Sequence, residues 1–464
     1  MNAATSQQPS QQRSANNSDF ASCGVPAALV DCLTAGGIHE PFAIQAATLP
    51  DSLHGRDILG RGRTGSGKTL AFALPLVTRL GADKRRTRRG APRGLVLAPT
   101  RELANQIQAA IAPLAEAMSL RCAVIVGGVR QAGQVRALQA CVDVVIATPG
   151  RLEDLIQQGH CRLDEVVVTV IDEADHMADL GFLPAVTRIL EQTPANGQRL
   201  LFSATLDRGV DGLAKRFLTN PVTHFADPSE GSVAQMSHHL MTVTASDKSA
   251  VVQDLAAGLG RSVLFTRTKH GASKLAKQLT KAGVPAVELH GNLGQSARER
   301  NLAEFSRGSV RVLVATDIAA RGIHVDDVAL VVHVDPPAEH KAYLHRSGRT
   351  ARAGASGAVV TVATREQTRA VRALAKQAGI AQQVTVVTPG DAHITRIRGE
   401  RAPIITTPSE PTKVTKVGTS SAPRKPAGPG RSRQRGADAS SGGRPRGRRS
   451  GAGKRRPAAA RQAS

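Results

Sequence analysis

Residues Gly62-Arg63-Thr64-Gly65-Ser66-Gly67-Lys68-Thr69 carry the GxxxxGK[ST] spacing, in which glycine lets backbone N–H groups close around phosphate oxygens. In such a loop Thr64, Gly65, Ser66 and Gly67 form the cradle, Lys68 meets the β/γ-phosphates, and the Thr69 hydroxyl meets Mg²⁺. The apolar start Leu70-Ala71-Phe72 predicts a helix whose positive end faces the anion. Further on, the apolar run Val166–Ile171 ends in Asp172-Glu173-Ala174-Asp175. A strand that ends in carboxylates suits metal and water: Asp172 holds Mg²⁺ through water, and Glu173 aligns and deprotonates an attacking water. The chemistry these residues predict is the binding and hydrolysis of a magnesium nucleoside triphosphate.

Elements must bring these residues together. Candidate strands at Gly94–Ala98, Ala123–Val126, Val142–Ala147, Val166–Ile171 and Leu200–Ser203 alternate with helical patterns. That alternation predicts βαβ units and a parallel sheet with its ligands at the strand C-termini. The alternation restarts at Ser262–Phe265, Ala286–Leu289, Val310–Ala315, Ala329–Val334 and Ala358–Val362, without a second phosphate loop. The expectation is an α/β protein whose second domain completes the first across a cleft. Ser203 and Thr205 fall at a strand end, where their hydroxyls either bond Asp175 or cap a helix.

At 464 residues the chain exceeds one hydrophobic core, and none of its apolar runs is long enough for a membrane span. The polar stretch Met1 to Ser18 lacks the apolar region of a signal peptide, so a cytoplasmic location is expected. Cys23, Cys32, Cys122, Cys141 and Cys161 show neither CxxC pairing nor metal spacing. The net charge of +24 calls for a polyanionic partner. From Ser409 to Ser464, fifteen Lys/Arg stand against Glu410 and Asp438 in a Pro/Gly/Ser/Ala-rich stretch that lacks the apolar residues for a core. Such a tail adds salt-dependent, sequence-independent affinity for nucleic acid, or serves solubility alone. With no Trp, one Tyr and nine Phe, the chain suits phosphate contacts better than base stacking.

From about Phe20 to Gly354 the sequence closely resembles the DEAD-box family of ATP-dependent RNA helicases. Gly37-Ile38-His39-Glu40-Pro41-Phe42-Ala43-Ile44-Gln45 is similar to the family's adenine-reading motif, with Phe20 as its upstream aromatic. Pro99-Thr100-Arg101-Glu102-Leu103-Ala104, Gly127-Gly128 and Thr148-Pro149-Gly150-Arg151 resemble its first-domain RNA elements. Leu264-Phe265-Thr266-Arg267-Thr268, Gln295-Ser296-Ala297-Arg298 and Ala315-Thr316-Asp317 resemble those of the second. Ser203-Ala204-Thr205 matches the coupling motif, and the run from His345 to Arg352 matches the last, arginine-bearing one.

The resemblance implies two RecA-like parallel-sheet domains in tandem and an RNA-stimulated ATPase that locally unwinds short duplexes. It implies ATP contacts at Phe20, Gln45 and His324, and RNA contacts at Arg101, Gly128, Thr148, Gly150, Arg151, Thr268, Gln295, Arg298 and Thr316. Coupling falls to Asp175, Ser203, Thr205 and His345, and Arg349 and Arg352 are the arginine fingers. Two departures stand out: Ile38 replaces the usual aromatic, and His324 stands where the family has a ribose-contacting Asp, with Asp326 and Asp327 at shifted positions. The expected organisation is a disordered 1–18, an ATP-binding domain 19–227, a linker 228–237, a second domain 238–395 and a basic tail 396–464. A monomer is expected, with ribosomal particles or RNA-decay proteins as partners and a weak likeness to the bacterial RhlE-type branch. The competing readings are an RNA chaperone that works through the tail and a DNA helicase of the same superfamily.

Overall fold

The computed structural model describes residues 19–62, 65–226, 236–320, 325, 327–351 and 356–404. The first half contains β1 (Ile58–Gly62), β2 (Gly94–Leu97), β3 (Cys122–Ile125), β4 (Val144–Ala147), β5 (Val168–Ile171), β6 (Gln198–Ser203) and β7 (Val222–Ala226). They form one sheet in the order β3-β4-β2-β5-β6-β1-β7, and every pair is parallel. Strands β2, β4, β5 and β6 are buried at every position, as expected for central strands covered on both faces. Two apolar layers flank them. One gathers Phe72, Leu76, Ile107, Ile111 and Phe202, the other Ile125, Leu152, Leu155, Val186 and Ile189.

The second half contains β8 (Met236–Val243), β9 (Arg261–Phe265), β10 (Ala286–Leu289), β11 (Val312–Ala315), β12 (Val328–His333), β13 (Gly357–Thr364) and β14 (Gln383–Val386). Their order is β10-β11-β9-β12-β13-β8-β14, which is the first sheet's order repeated strand for strand. The fold is therefore two RecA-like parallel sheets in tandem.

Sequence reading finds ten of the fourteen strands and misses β1, β7, β8 and β14. The reason is local. β1 reads Ile-Leu-Gly-Arg-Gly, β8 opens Met-Ser-His-His, and β7 (Val-Thr-His-Phe-Ala) and β14 (Gln-Val-Thr-Val) are short sheet-edge strands that interleave polar with apolar residues. Boundaries shift for the same reason. The second domain's first strand already includes Met236 and Ser237, which were expected in the linker. Its far end runs past residue 395: helix Ala392–Arg398 buries Ile394, and the Ala402 N–H donates to Ala257 O at 2.8 Å. The expected disordered N-terminus, most of the linker and nearly all of the basic tail lie outside the described residues.

Candidate active site

The phosphate loop leaves β1 and enters helix Lys68–Ala82 through Gly67, whose φ of 88° lies in the left-handed region. A Cβ at Gly67 would sit 2.5 Å from both Gln45 Nε2 and a Phe42 ring carbon, so only glycine lets these groups close on the loop. Gln45 is buried and fully engaged: its Nε2 donates to Gly67 O at 2.8 Å and its Oε1 accepts the Phe42 N–H at 2.9 Å. It ties the expected adenine motif to the phosphate loop. Lys68, also buried, folds back to donate to Gly62 O at 2.8 Å. Ser66 Oγ is buried in the loop and finds no partner among the described residues. A buried hydroxyl without a partner, beside an ammonium and a glycine-made cradle, fits a bound phosphate chain. Thr69 takes the second position of the same helix, one residue beyond Lys68.

The carboxylates sit where β5 ends. Asp172 accepts the Glu173 N–H at 3.0 Å, and Glu173 adopts φ 50°, which turns the chain sharply into helix Ala174–Asp179. Burial pushes the Asp172 carboxyl up, with the Lys68 charge opposing it. Burial would raise Glu173 as well, but the His176 hydrogen bond and charge, with Lys68 and Arg349, hold it well below the usual carboxylate range. Two adjacent acids are thus driven apart, one toward its neutral form and one firmly ionised. An ionised, buried Glu173 is a hydrogen-bond acceptor suited to aligning water.

Asp175 is the junction of three elements. Thr205 gives it both its N–H (3.0 Å) and its hydroxyl (2.9 Å) on Oδ2, and His345 Nε2 of the second domain lies 3.8 Å from that oxygen. The Ser203 hydroxyl also bonds Asp175, as expected, through the backbone: its Oγ accepts the Asp175 N–H at 3.3 Å and donates to Thr205 O at 2.7 Å. The helix-cap alternative for Ser203 and Thr205 therefore falls away, because Asp207 caps helix Arg208–Phe217 instead. Arg349 of the second domain is buried, and its charge reaches Glu173.

Some of the expected RNA residues of the two domains touch one another. Arg101 Nη1 donates to Gln295 Oε1 at 2.9 Å, and Arg298 Nε lies 3.1 Å from Glu102 Oε1. Gly128, at φ +74°, leaves room for Arg101, since a Cβ there would sit 2.0 Å from its Nη1. Thr148 and Thr316 follow β4 and β11, the fourth strand of each sheet, and are buried to the same degree. Thr100 and Thr268 follow β2 and β9, and each caps the next helix, through Leu103 N and Gly271 N respectively. Gly150 is exposed, and Arg151 Nη1 donates to Val129 O at 3.2 Å.

Corrections concern the nucleotide end. Phe20 is 1% exposed, packed among Cys23, Val25 and Leu29, so its ring offers no face to a ligand. The aromatic at the site is Phe42, 51% exposed beside Gly67. Its signal was present in the sequence as the aromatic between Pro41 and Ala43. Asp327, the farther of the two acids at shifted positions, pairs with Arg261 at 2.8 Å, at the start of β9. Thr64, His324, Asp326 and Arg352 lie outside the described residues.

Two further residues were missed. His176, 2% exposed, places Nδ1 3.1 Å from Glu173 Oε2, and the i, i+3 spacing on a helix was its only sequence signal. Lys341 Nζ lies 3.0 Å from Asp207 Oδ2 and 3.2 Å from Asp179 Oδ1, joining the second domain to both ends of the coupling region. It sits one helical turn before His345, so helix His340–Ser347 presents an ammonium and an imidazole to three acids of the first domain.

A phosphate loop and paired carboxylates thus lie on one RecA-like sheet and are faced by an arginine and a histidine from the other. The DEAD/DEAH box helicase model matches residues 42–213 and the helicase conserved C-terminal domain model residues 247–354. The chain is 42% identical over 368 residues to DEAD-box ATP-dependent RNA helicase 3A, chloroplastic, of Zea mays, covering 78% of this chain and 49% of that protein. It is 37% identical over 350 residues to DEAD-box ATP-dependent RNA helicase 20 of Arabidopsis thaliana, covering 74% of this chain and 70% of that one. The solved structure of S. cerevisiae Dbp5 bound to RNA and ADP BeF3 is similar, with a TM-score of 0.72, 28% identity, and coverage of 82% and 99%. The chain belongs to the DEAD-box ATP-dependent RNA helicase family. It spans about half the length of the maize relative.

Proposed function

We propose that the protein is an RNA-stimulated ATPase that binds the backbone of single-stranded RNA across its two domains and locally unwinds short duplexes. The observation that carries this reading is the Asp175 junction. One carboxylate next to Glu173 is bonded by Thr205 of its own domain and approached by His345 of the other, so closure of the cleft and arrangement of the hydrolytic residues are mechanically one event.

ATP is the substrate: Lys68 meets its terminal phosphates, Glu173 accepts a proton from the attacking water, and Arg349 answers the negative charge that develops. Mg²⁺ bound with the nucleotide would neutralise phosphate charge, with Thr69 and Asp172 as the residues to hold it. RNA contacts come from Arg101, Gly128, Thr148, Gly150, Arg151, Thr268, Gln295, Arg298 and Thr316. Threonine, glycine and arginine at strand ends suit contacts to phosphate and sugar, which position the strand without specifying sequence. We assign the protein to the compact, RhlE-type branch, on the shortness of its core alone.

The deciding experiment is steady-state ATPase of the purified chain with and without single-stranded RNA, in magnesium. Stimulation of tenfold or more is expected; turnover that ignores RNA sinks the reading. Removing residues 409–464 should leave most of that stimulation, whereas an RNA chaperone acting through the tail would lose its activity.

A further inference from the structure

The loop between helix Lys68–Ala82 and β2 carries Lys84, Arg85, Arg86, Arg88 and Arg89, all exposed. Its base is fixed from below. Buried Arg93 donates to Leu80 O (3.2 Å), Asp83 O (3.0 Å), Thr87 Oγ1 (3.0 Å) and Asp143 Oδ1 (2.8 Å). An antiparallel bridge joins Arg88 to Ala91, while Gly90 donates to Leu138 O and accepts the Arg162 N–H. Two of the five cations are anchored by acids: Arg85 on Asp83 at 2.8 Å and Glu165 at 3.5 Å, Arg88 on Glu165 at 3.1 Å. Lys84, Arg86 and Arg89 pair with no carboxylate among the described residues.

Three unpaired cations held on a braced loop repel one another and form a site that an external polyanion completes. Position says which part of that polyanion reaches it. Fifteen residues of helix, about 22 Å at 1.5 Å per residue, separate this loop from Lys68. The loop therefore lies at the N-terminal edge of the first sheet, opposite the edge that carries Thr148, Gly128 and Asp172. A strand lying across the cleft cannot touch it with the same nucleotides.

We propose that the Lys84–Arg89 loop is a second phosphate-backbone site, which grips the part of a structured RNA that lies outside the cleft. No aromatic residue stands among the five cations, so the grip is electrostatic and indifferent to sequence. The inference rests on the reading that RNA is the substrate, and it adds a surface that keeps the enzyme on a structured RNA between rounds of opening.

The test uses the full chain with Lys84→Ala, Arg86→Ala and Arg89→Ala combined, which leaves the anchoring residues intact. Two probes are compared: a duplex with a long single-stranded extension, and an oligouridylate of about ten nucleotides that fills only the cleft. Affinity for the long probe should fall about tenfold, and its log–log salt slope should become shallower by about two, at about 0.7 for each lost phosphate contact. RNA-stimulated turnover on the short probe should stay unchanged. An unaltered salt slope, or an equal loss on both probes, overturns the proposal. If the triple variant does not fold, Arg86→Glu alone serves the same comparison, with a smaller change in slope expected on the long probe only. Wild-type turnover that ignores RNA would sink the proposed function instead, and the binding comparison would still decide the loop.

Discussion

The two domains share one strand order, yet only the first carries the phosphate-loop sequence and the Asp172-Glu173 pair. After β1 the chain makes the Gly62–Thr69 phosphate loop; after β8, its counterpart, it runs Thr244-Ala245-Ser246-Asp247 into a helix. After β5 stand Asp172 and Glu173; after β12 stand Val334 and Asp335, and Asp335 Oδ2 accepts the Arg267 N–H at 2.8 Å. The opposite holds for the RNA side, where Thr100 matches Thr268 and Thr148 matches Thr316 in place and setting. Duplicated threonine positions beside an unduplicated phosphate loop and carboxylate pair suggest the division of labour in the proposed function. On the proposed function, both sheets would hold the polymer and one sheet the nucleotide, with the second reaching the carboxylates, among the described residues, from helix His340–Ser347 and from Arg349 just after it.

The comparison breaks most visibly at Arg349. If the second domain's contribution to chemistry is a single charge, Arg349→Ala should lower RNA-stimulated turnover by about 10³-fold while ATP binding to the first domain survives. Equal losses in turnover and nucleotide affinity would mean that the arginine holds the ground state. Within the first domain, His176→Leu removes the N–H that restrains Glu173. Turnover should drop about tenfold with both KM values unchanged, and His176→Asn, which keeps a donor near Nδ1, should restore most of it. A shift in KM, or no rescue by Asn, would reduce His176 to packing.

The RNA duplication is tested by Thr148→Val and Thr316→Val, measured as affinity for single-stranded RNA with a non-hydrolysable ATP analogue. Each should weaken binding several-fold, consistent with about 1 kcal/mol per hydrogen bond, and by similar amounts. If only one of the two matters, the symmetry of the RNA face is formal.

The smallest effect separates the domains by pH. His333 is fully buried against Tyr343 and Phe265, with Nδ1 3.0 Å from Thr361 Oγ1. Burial, then the charges of Arg346 and His238, hold it well below 6.5. It is therefore neutral in the fold, whereas the unfolded imidazole takes a proton below about pH 6.5. Stability is lost as pH falls through that value, at up to about 1.4 kcal/mol per pH unit. His239, lowered by burial and then by His393, adds to the slope. The second domain's melting point should fall between pH 7 and 5, and His333→Leu should flatten that fall; a slope unchanged in the variant would show that other groups cause it.

The phosphate loop, the carboxylates and their order along the chain were legible because they depend on residue type at short spacing. A backbone can close on phosphate only where glycine permits it, and Lys68 follows within the same loop. Central strands such as β2, β4, β5 and β6 were legible for a similar reason, since apolar runs report burial directly. Tertiary structure alone decided what depends on residues far apart in sequence. It put Phe20, in a turn, in the core with Cys23, Val25 and Leu29, and left Phe42, just before helix Ala43–Leu53, beside Gly67. It bonded Gln45 to the phosphate loop, Arg346 to Asp317 at 2.8 Å, and Lys341 to Asp179 and Asp207. It also revealed that one strand order occurs twice, although β1, β7, β8 and β14 carry little periodic signal. Spacing along a chain specifies which groups can meet a ligand locally, and only packing between distant segments decides which of them share a site.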